Sequence, residues 1–413
     1  MDKNHKASIN LGKNESLPNK QLHNKEGGVA LYVHLPYCVK KCRYCDFNSY
    51  AYTNQNIEEY LSSLLLEARS RAWQLKPTTL FIGGGTPTLL GAKMLSKFLG
   101  ELNHITGFCD SANEATIEAN PESFDFETAS AIRDCGINRL SLGFQSLRND
   151  VLLAYDRVHD VQQSYKAFDW ARKAGFDNIN VDLIYSFPGQ KLADWQDDLL
   201  EIHKLAPEHL SCYELSYEPG TSLTKLKDAG RHSPNSNEHS AAMFKLTRQL
   251  NSAAGFHPYE VSAFAKQERR CSHNMAYWNS KPYVGLGAGA ASWLNPERLM
   301  NIASPEDYIH CINNNKNHYA QRDSCSSETI LFDALMMGLR LEKQGVSVEN
   351  LKTLSGLDPL EYYSEQWARF KDEGKIKMAN KNGQTFIRAT PTGFLHLDSI
   401  LAELLPDDQR LSV

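Results

Sequence analysis

The sequence predicts an α/β protein with a parallel sheet, barrel-like or doubly wound, followed by a smaller C-terminal helical unit of winged-helix type. Three observations carry that expectation. Short β-rich runs alternate six times with helical patterns, no long antiparallel stretch interrupts them, and near residue 300 the alternation gives way to helices and one hairpin.

The first 28 residues are polar, with neither the apolar run of a secretory signal nor the arginine-rich composition of a transit peptide, and are expected to form a disordered tail. "VALYVHL" (29–35) then reads as a strand, and Ile57, Tyr60, Leu61, Leu64, Leu65 and Ala68 recur at helical spacing. The pair repeats. "TTLFI" (78–82) precedes a helix through Met94, Leu95, Phe98 and Leu102, and "ATIEAN" (115–120) one that ends at Cys135-Gly136. "NRLSLGF" (138–144) precedes helices reaching Gly175, "NINVDLIY" (178–185) one ending near Leu205, and "HLSCYELS" (209–216) is followed by more helix. Helices are expected at 327–342, 347–355 and 358–373, then a hairpin turning at Asn382-Gly383 and a helix to Leu405. The expected units are thus a tail (1–28), a β/α core (29–300) and a C-terminal unit (301–413).

Composition excludes several functions. The net charge is -5, and residues 345–413 hold eight Lys/Arg against ten Asp/Glu, so the winged-helix pattern has no cationic footprint for nucleic acid. No apolar run approaches the roughly 18 residues of a membrane span. Nine cysteines without a secretory signal suggest a reducing, cytoplasmic setting, where clustered Cys serve metal binding or catalysis.

In a parallel β/α barrel the site lies at the carboxyl ends of the strands, and the unusual elements gather there. "CVKKCRYC" (38–45) follows the first strand, "GGGTP" (83–87) the second, Glu118 ends the third, Gln145 the fourth, and Asp182 lies late in the fifth. Thiolates suit zinc or an iron–sulfur cluster. Zinc would want a fourth ligand, which His34 could supply, whereas a four-iron cluster held by Cys38, Cys42 and Cys45 leaves one iron open; the triad favours the cluster. Lys40, Lys41 and Arg43 are placed to offset its negative charge. The glycines let backbone pass close to a ligand.

Cluster loop and glycine run together resemble the radical S-adenosylmethionine (SAM) superfamily. "LYVHLPYCVKKCRYCDF", "FIGGGTPTLL", "IEANPE", "RLSLGFQS", "NVDLIYSFPGQ", "YEPGT" and "SHNMAYW" occur in order, as in its coproporphyrinogen-dehydrogenase-like branch, and the chain is most similar to HemW-type haem chaperones. The resemblance implies a partial (β/α)6 TIM-like barrel with a winged-helix-like C-terminal domain. It implies a 4Fe-4S cluster on Cys38, Cys42 and Cys45, with the methionine end of SAM on the open iron, where electron transfer yields a 5′-deoxyadenosyl radical. It also implies SAM contacts from Gly84, Gly85, Thr86, Glu118, Gln145, Arg157 and Asp182. Within segment 271–278, an H-N-x-x-Y-W motif implies haem binding through His273, Tyr277 and Trp278.

Two functions follow. One is a haem chaperone passing haem to acceptor haemoproteins, membrane-bound respiratory enzymes among them, and served by an electron donor; catalysis is not required of it. The other is oxygen-independent coproporphyrinogen III dehydrogenase or another radical enzyme acting on porphyrins. Decarboxylating members carry a further cysteine two places past the third, where this chain has Phe47, so the chaperone is favoured.

Overall fold

The computed structural model describes residues 28–53 and 56–406; the expected tail, Gly28 apart, lies outside the described residues. The six expected strands are Ala30–Leu35 (β1), Thr79–Gly84 (β2), Glu114–Ala119 (β3), Arg139–Gln145 (β4), Ile179–Tyr185 (β5) and His209–Glu214 (β6), parallel and paired in chain order. Between them run helices Ile57–Arg71 (α1), Gly91–Thr106 (α2), Phe126–Asp134 (α3), Val161–Lys173 (α4) and Leu192–Leu205 (α5). Local chemistry sets their starts. Asn56 accepts from the Glu59 amide ahead of α1, Asp125 from Thr128 ahead of α3, and Asp160 with Gln163 closes a capping box on α4.

Two features correct the sequence reading. "YVGL" (Tyr283–Leu286, β7), which falls outside the six expected units, is a seventh parallel strand, on the far side of β1. Antiparallel strands then extend both edges, Ala263–Ala265 and His257–Pro258 beyond β6 and Ala291–Leu294, Glu297–Asn301 and Tyr319–Ser324 beyond β7, giving twelve strands in one open sheet. The expected boundary at 300 therefore falls inside a strand; a separate apolar core begins only at Leu331. It contains a three-stranded sheet whose hairpin turns at Asn382 and Gly383, both at positive φ (54° and 80°), as the Asn-Gly pair predicts.

The barrel strands have two different faces. Leu31, Val33, Leu80, Ile82, Ile117, Leu140, Leu142, Val181 and Leu183 join the apolar core. The alternating residues inside are polar, and the register aligns Glu118 with Ser141, Ser141 with Asn180, and Asp182 with Ser211. A parallel sheet buried on both faces ordinarily reads as continuous hydrophobic runs. The alternation in "RLSLGFQ" and "NINVDLI" is the mark of a polar lumen.

Candidate cofactor site

Cys38, Cys42 and Cys45 face one cavity of about 670 Å³ at the carboxyl ends of the strands, together with Gly84, Gly85, Thr86, Glu118, Gln145, Arg157 and Asp182. The cysteine loop is pinned at its base, where Tyr37–Cys38 pairs with Tyr50–Ala51, and turns on a Cys45 N–H to Cys42 O bond of 3.2 Å. Among the described residues no three His, Cys, Asp or Glu side chains converge to grip a single ion; the thiols ring a space rather than a point. Burial pushes the Cys38 thiol up to about 11, so at neutral pH it needs metal coordination to become a thiolate.

The cations of this loop do not do what their spacing suggests. Lys40 and Arg43 pair with Asp156 at 3.0 and 2.8 Å, and Lys41 donates to the Phe47 and Ser49 carbonyls at 3.0 and 3.1 Å. They staple the loop. The cation that meets a thiol is Arg157, whose Nη1 lies 3.5 Å from Cys42 Sγ.

The glycine run is required by close approach. A Cβ on Gly83 would lie 2.7 Å from Glu118 Oε2, one on Gly84 (φ +112°) would enter the His34 ring, and one on Gly85 would lie 2.5 Å from the Tyr37 carbonyl. Glu118 accepts from the Gly84 amide at 3.1 Å. Burial first, and then the charge of Asp182, lift its carboxyl from the ordinary 4.5 to about 7. Asp182 is raised by burial against bonds from Ser141 and Asn180, both 2.8 Å. Gln145 reaches the cavity because the strand register slips between Gly143 and Gln145, which has φ 66°. Two wall residues escaped the sequence reading: Asn120, which donates to Thr86 Oγ1 at 2.7 Å, and Arg139, whose buried Nε has no protein partner. The polar–apolar alternation of the strands was the signal for Arg139; for Asn120 there was only its place after a strand.

Both histidines singled out in the sequence are internally committed. His34 Nε2 donates to Asn48 O at 2.8 Å and Nδ1 accepts from Tyr32 at 2.9 Å, which leaves no lone pair for a zinc ion. His273 is fully buried in the Ser272–Trp278 helix (α6), with Nδ1 2.8 Å from Thr79 Oγ1 and Nε2 2.8 Å from Tyr277 Oη. Burial, then Arg139, push its pKa down to about 3, so the ring is neutral. In this conformation both ring nitrogens are taken by protein hydroxyls, so ligation of a haem iron by His273 would require one of these bonds to open. Glu114 at the start of β3 accepts from the Ser272 and His273 amides at 2.8 and 3.0 Å, seating α6 against the amino ends of the strands. Tyr277 does border the cavity, while Trp278 sits half-buried in a cleft beside Gln344 and Phe386 of the C-terminal unit.

Such a site, on such a barrel, can hold a cluster and a zwitterionic nucleoside cofactor side by side. Residues 32–202 match the family model of the radical SAM superfamily, and residues 325–396 match that of the HemN C-terminal domain. Fold and site together define a radical SAM protein. The haem chaperone HemW of Bacillus subtilis is 33% identical over 336 residues, spanning 79% of this chain and 88% of its own. That of Synechocystis is 30% identical (91% and 96%), and the mitochondrial radical S-adenosyl methionine domain-containing protein 1 of Danio rerio 31% (91% and 87%). The chain belongs to the HemW family of haem chaperones. Among solved structures, coproporphyrinogen III oxidase (HemN) of Escherichia coli, a radical SAM enzyme, superposes with a TM-score of 0.78 at 21% identity over 94% of this chain and 92% of its own, a likeness of fold.

Proposed function

We propose that this chain binds haem and hands it to acceptor haemoproteins, on a scaffold that holds a 4Fe-4S cluster on Cys38, Cys42 and Cys45 and SAM in the adjoining cavity. The observation that supports it is the meeting of three thiols and the glycine run on one cavity, in a chain that shares its length with haem chaperones. Cys38, Cys42 and Cys45 would hold the cluster, which when bound would supply the reducing electron for radical SAM chemistry. The chain's own residues bind and orient. Gly84 and Gly85 bring backbone close to the methionine end, and Glu118 offers a carboxylate to its ammonium. Asp182, held by Ser141 and Asn180, would accept from the ribose hydroxyls, while Gln145 and Arg157 close the wall.

For haem, Tyr277 and Trp278 are the faces that α6 turns toward the cavity and the C-terminal cleft. His273 supports them from inside rather than ligating iron. We place the protein in the cytoplasm, with membrane-bound haemoproteins among its acceptors and a separate electron donor. Among the described residues no helix is long and apolar enough to cross a membrane. Anaerobic reconstitution should give a four-iron cluster, and haem titration a Soret band; stoichiometric zinc with no iron-dependent absorbance, or no haem uptake, would sink the corresponding half. With reductant and SAM, coproporphyrinogen should yield no protoporphyrinogen; sustained turnover would instead establish the dehydrogenase reading.

A further inference from the structure

Along the cavity wall a chain of polar groups runs from the cluster loop to the glycine run. The Arg157 guanidinium, with 6% of its side chain exposed, spends Nη1 on Cys42 Sγ (3.5 Å) and Nη2 on Asn120 Oδ1 (2.7 Å) and Gly143 O (3.1 Å). Asn120 in turn donates to Thr86 Oγ1 (2.7 Å). A desolvated guanidinium should draw in its carboxylate until the two form a bidentate pair. Here Glu122 stays at 4.0 Å. Fully buried His159 takes that carboxylate instead, with Nδ1 3.0 Å from Glu122 Oε2 and 3.4 Å from Arg157 Nη2, and its other nitrogen 3.3 Å from Phe144 O. Arg157 Nε is buried without a protein partner, beside the cavity. The cation is thus held short of its counter-ion and turned toward a sulfur.

We propose that the Glu122–His159 pair positions the Arg157 guanidinium, His159 holding back the competing Glu122 carboxylate so that the cation stays against the Cys42 sulfur, and that Asn120 ties that guanidinium to Thr86 on the SAM side of the cavity. The inference rests on the reading that Cys38, Cys42 and Cys45 hold the cluster. A cation and hydrogen-bond donor at a ligand sulfur favours the reduced, more negative cluster. The pair therefore sets how readily the cluster accepts an electron, and filling the SAM half of the cavity changes that setting through Thr86 and Asn120.

The test is an EPR-monitored redox titration of the reconstituted full chain, with and without SAM, on samples matched for iron and sulfide. In His159→Phe, Glu122 is free to draw Arg157 off Cys42, and the reduction equilibrium should move about tenfold against the reduced state, about 59 mV for one electron. Glu122→Gln removes the competing negative charge and should move it the opposite way. His159→Gln, which keeps a polar spacer, should stay near the wild type. A packing role alone would shift the first two in the same direction, and that outcome overturns the proposal, as does an unmoved potential in His159→Phe with a full cluster. If His159→Phe does not retain iron, Arg157→Lys reads the same contact: it keeps the charge but loses the planar fork, so the potential should fall, and an unmoved one overturns the proposal. A wild-type chain that assembles no four-iron cluster overturns the cluster reading itself, a separate and recognisable failure.

Discussion

The two ends of the barrel lumen hold similar residue types and use them differently. At the amino ends of the strands, Glu114 takes two amides of α6 and His273 has both ring nitrogens bonded, so these groups are satisfied by the protein itself, the Nε of Arg139 being the exception among them. At the carboxyl ends, the thiols, the carboxylates of Glu118 and Asp182 and the Nε of Arg157 border about 670 Å³ of space. Burial without a full set of partners is costly, and a protein sustains it where a ligand completes the set. The contrast teaches that a histidine in a matching motif identifies a ligand site only when a nitrogen is left facing it.

The comparison can be broken most decisively at the cysteines. Replacing Cys38, Cys42 or Cys45 by Ser should abolish the cluster absorbance after anaerobic reconstitution, with far-UV circular dichroism unchanged; retained iron in any single variant would remove that residue from the set. Next is the satisfied end. His273→Ala should cost about 2–3 kcal/mol, since it opens a cavity and strands the Thr79 and Tyr277 hydroxyls. It should leave the haem Soret band in place. A lost band with an unchanged melting temperature would return His273 to the haem site.

Glu118 offers a smaller, signed effect. Its carboxyl titrates at about 7 when folded against 4.5 ordinarily. In the ligand-free chain its stabilising share is present in full below about 4.5 and is lost as the pH rises through about 7. SAM binding should follow the opposite course, because the ammonium pairs with the ionised form. Affinity should rise with pH up to about 7 and level off above it, while Glu118→Gln should bind about tenfold more weakly with a flat profile. A wild-type profile equally flat over that range would remove Glu118 from the ammonium site. The smallest change expected is Asp156→Asn, which frees Lys40 and Arg43 on a partly exposed surface. It should lower stability by less than about 1 kcal/mol and leave the cluster intact; loss of iron there would make the staple part of the site.

Much of the molecule was legible in the order of residues. Strand–helix alternation gave six of the seven parallel strands, the Asn382-Gly383 pair gave a turn with both φ values positive, and the cysteine spacing with three glycines marked the cavity. Three things were not legible. The four residues of β7 pair with a strand some 250 positions earlier, so nothing local announces them. The lysines and arginine of the cysteine loop look like counter-charges to a cluster, but Asp156, more than a hundred residues away, takes two of them. His273 looks free until Thr79 and Tyr277 close on it.

What the sequence determined by itself is the chemistry available: soft thiolates at short spacing, glycines where backbone must approach, and acids at strand ends. These depend on residue type and local spacing, which the chain carries wherever it folds. Tertiary structure alone decided which polar atoms are already satisfied. Arg157 rather than Lys40 or Arg43 meets the Cys42 sulfur, and the His273 ring turns inward, because partner choice is settled by burial and by contacts between distant segments.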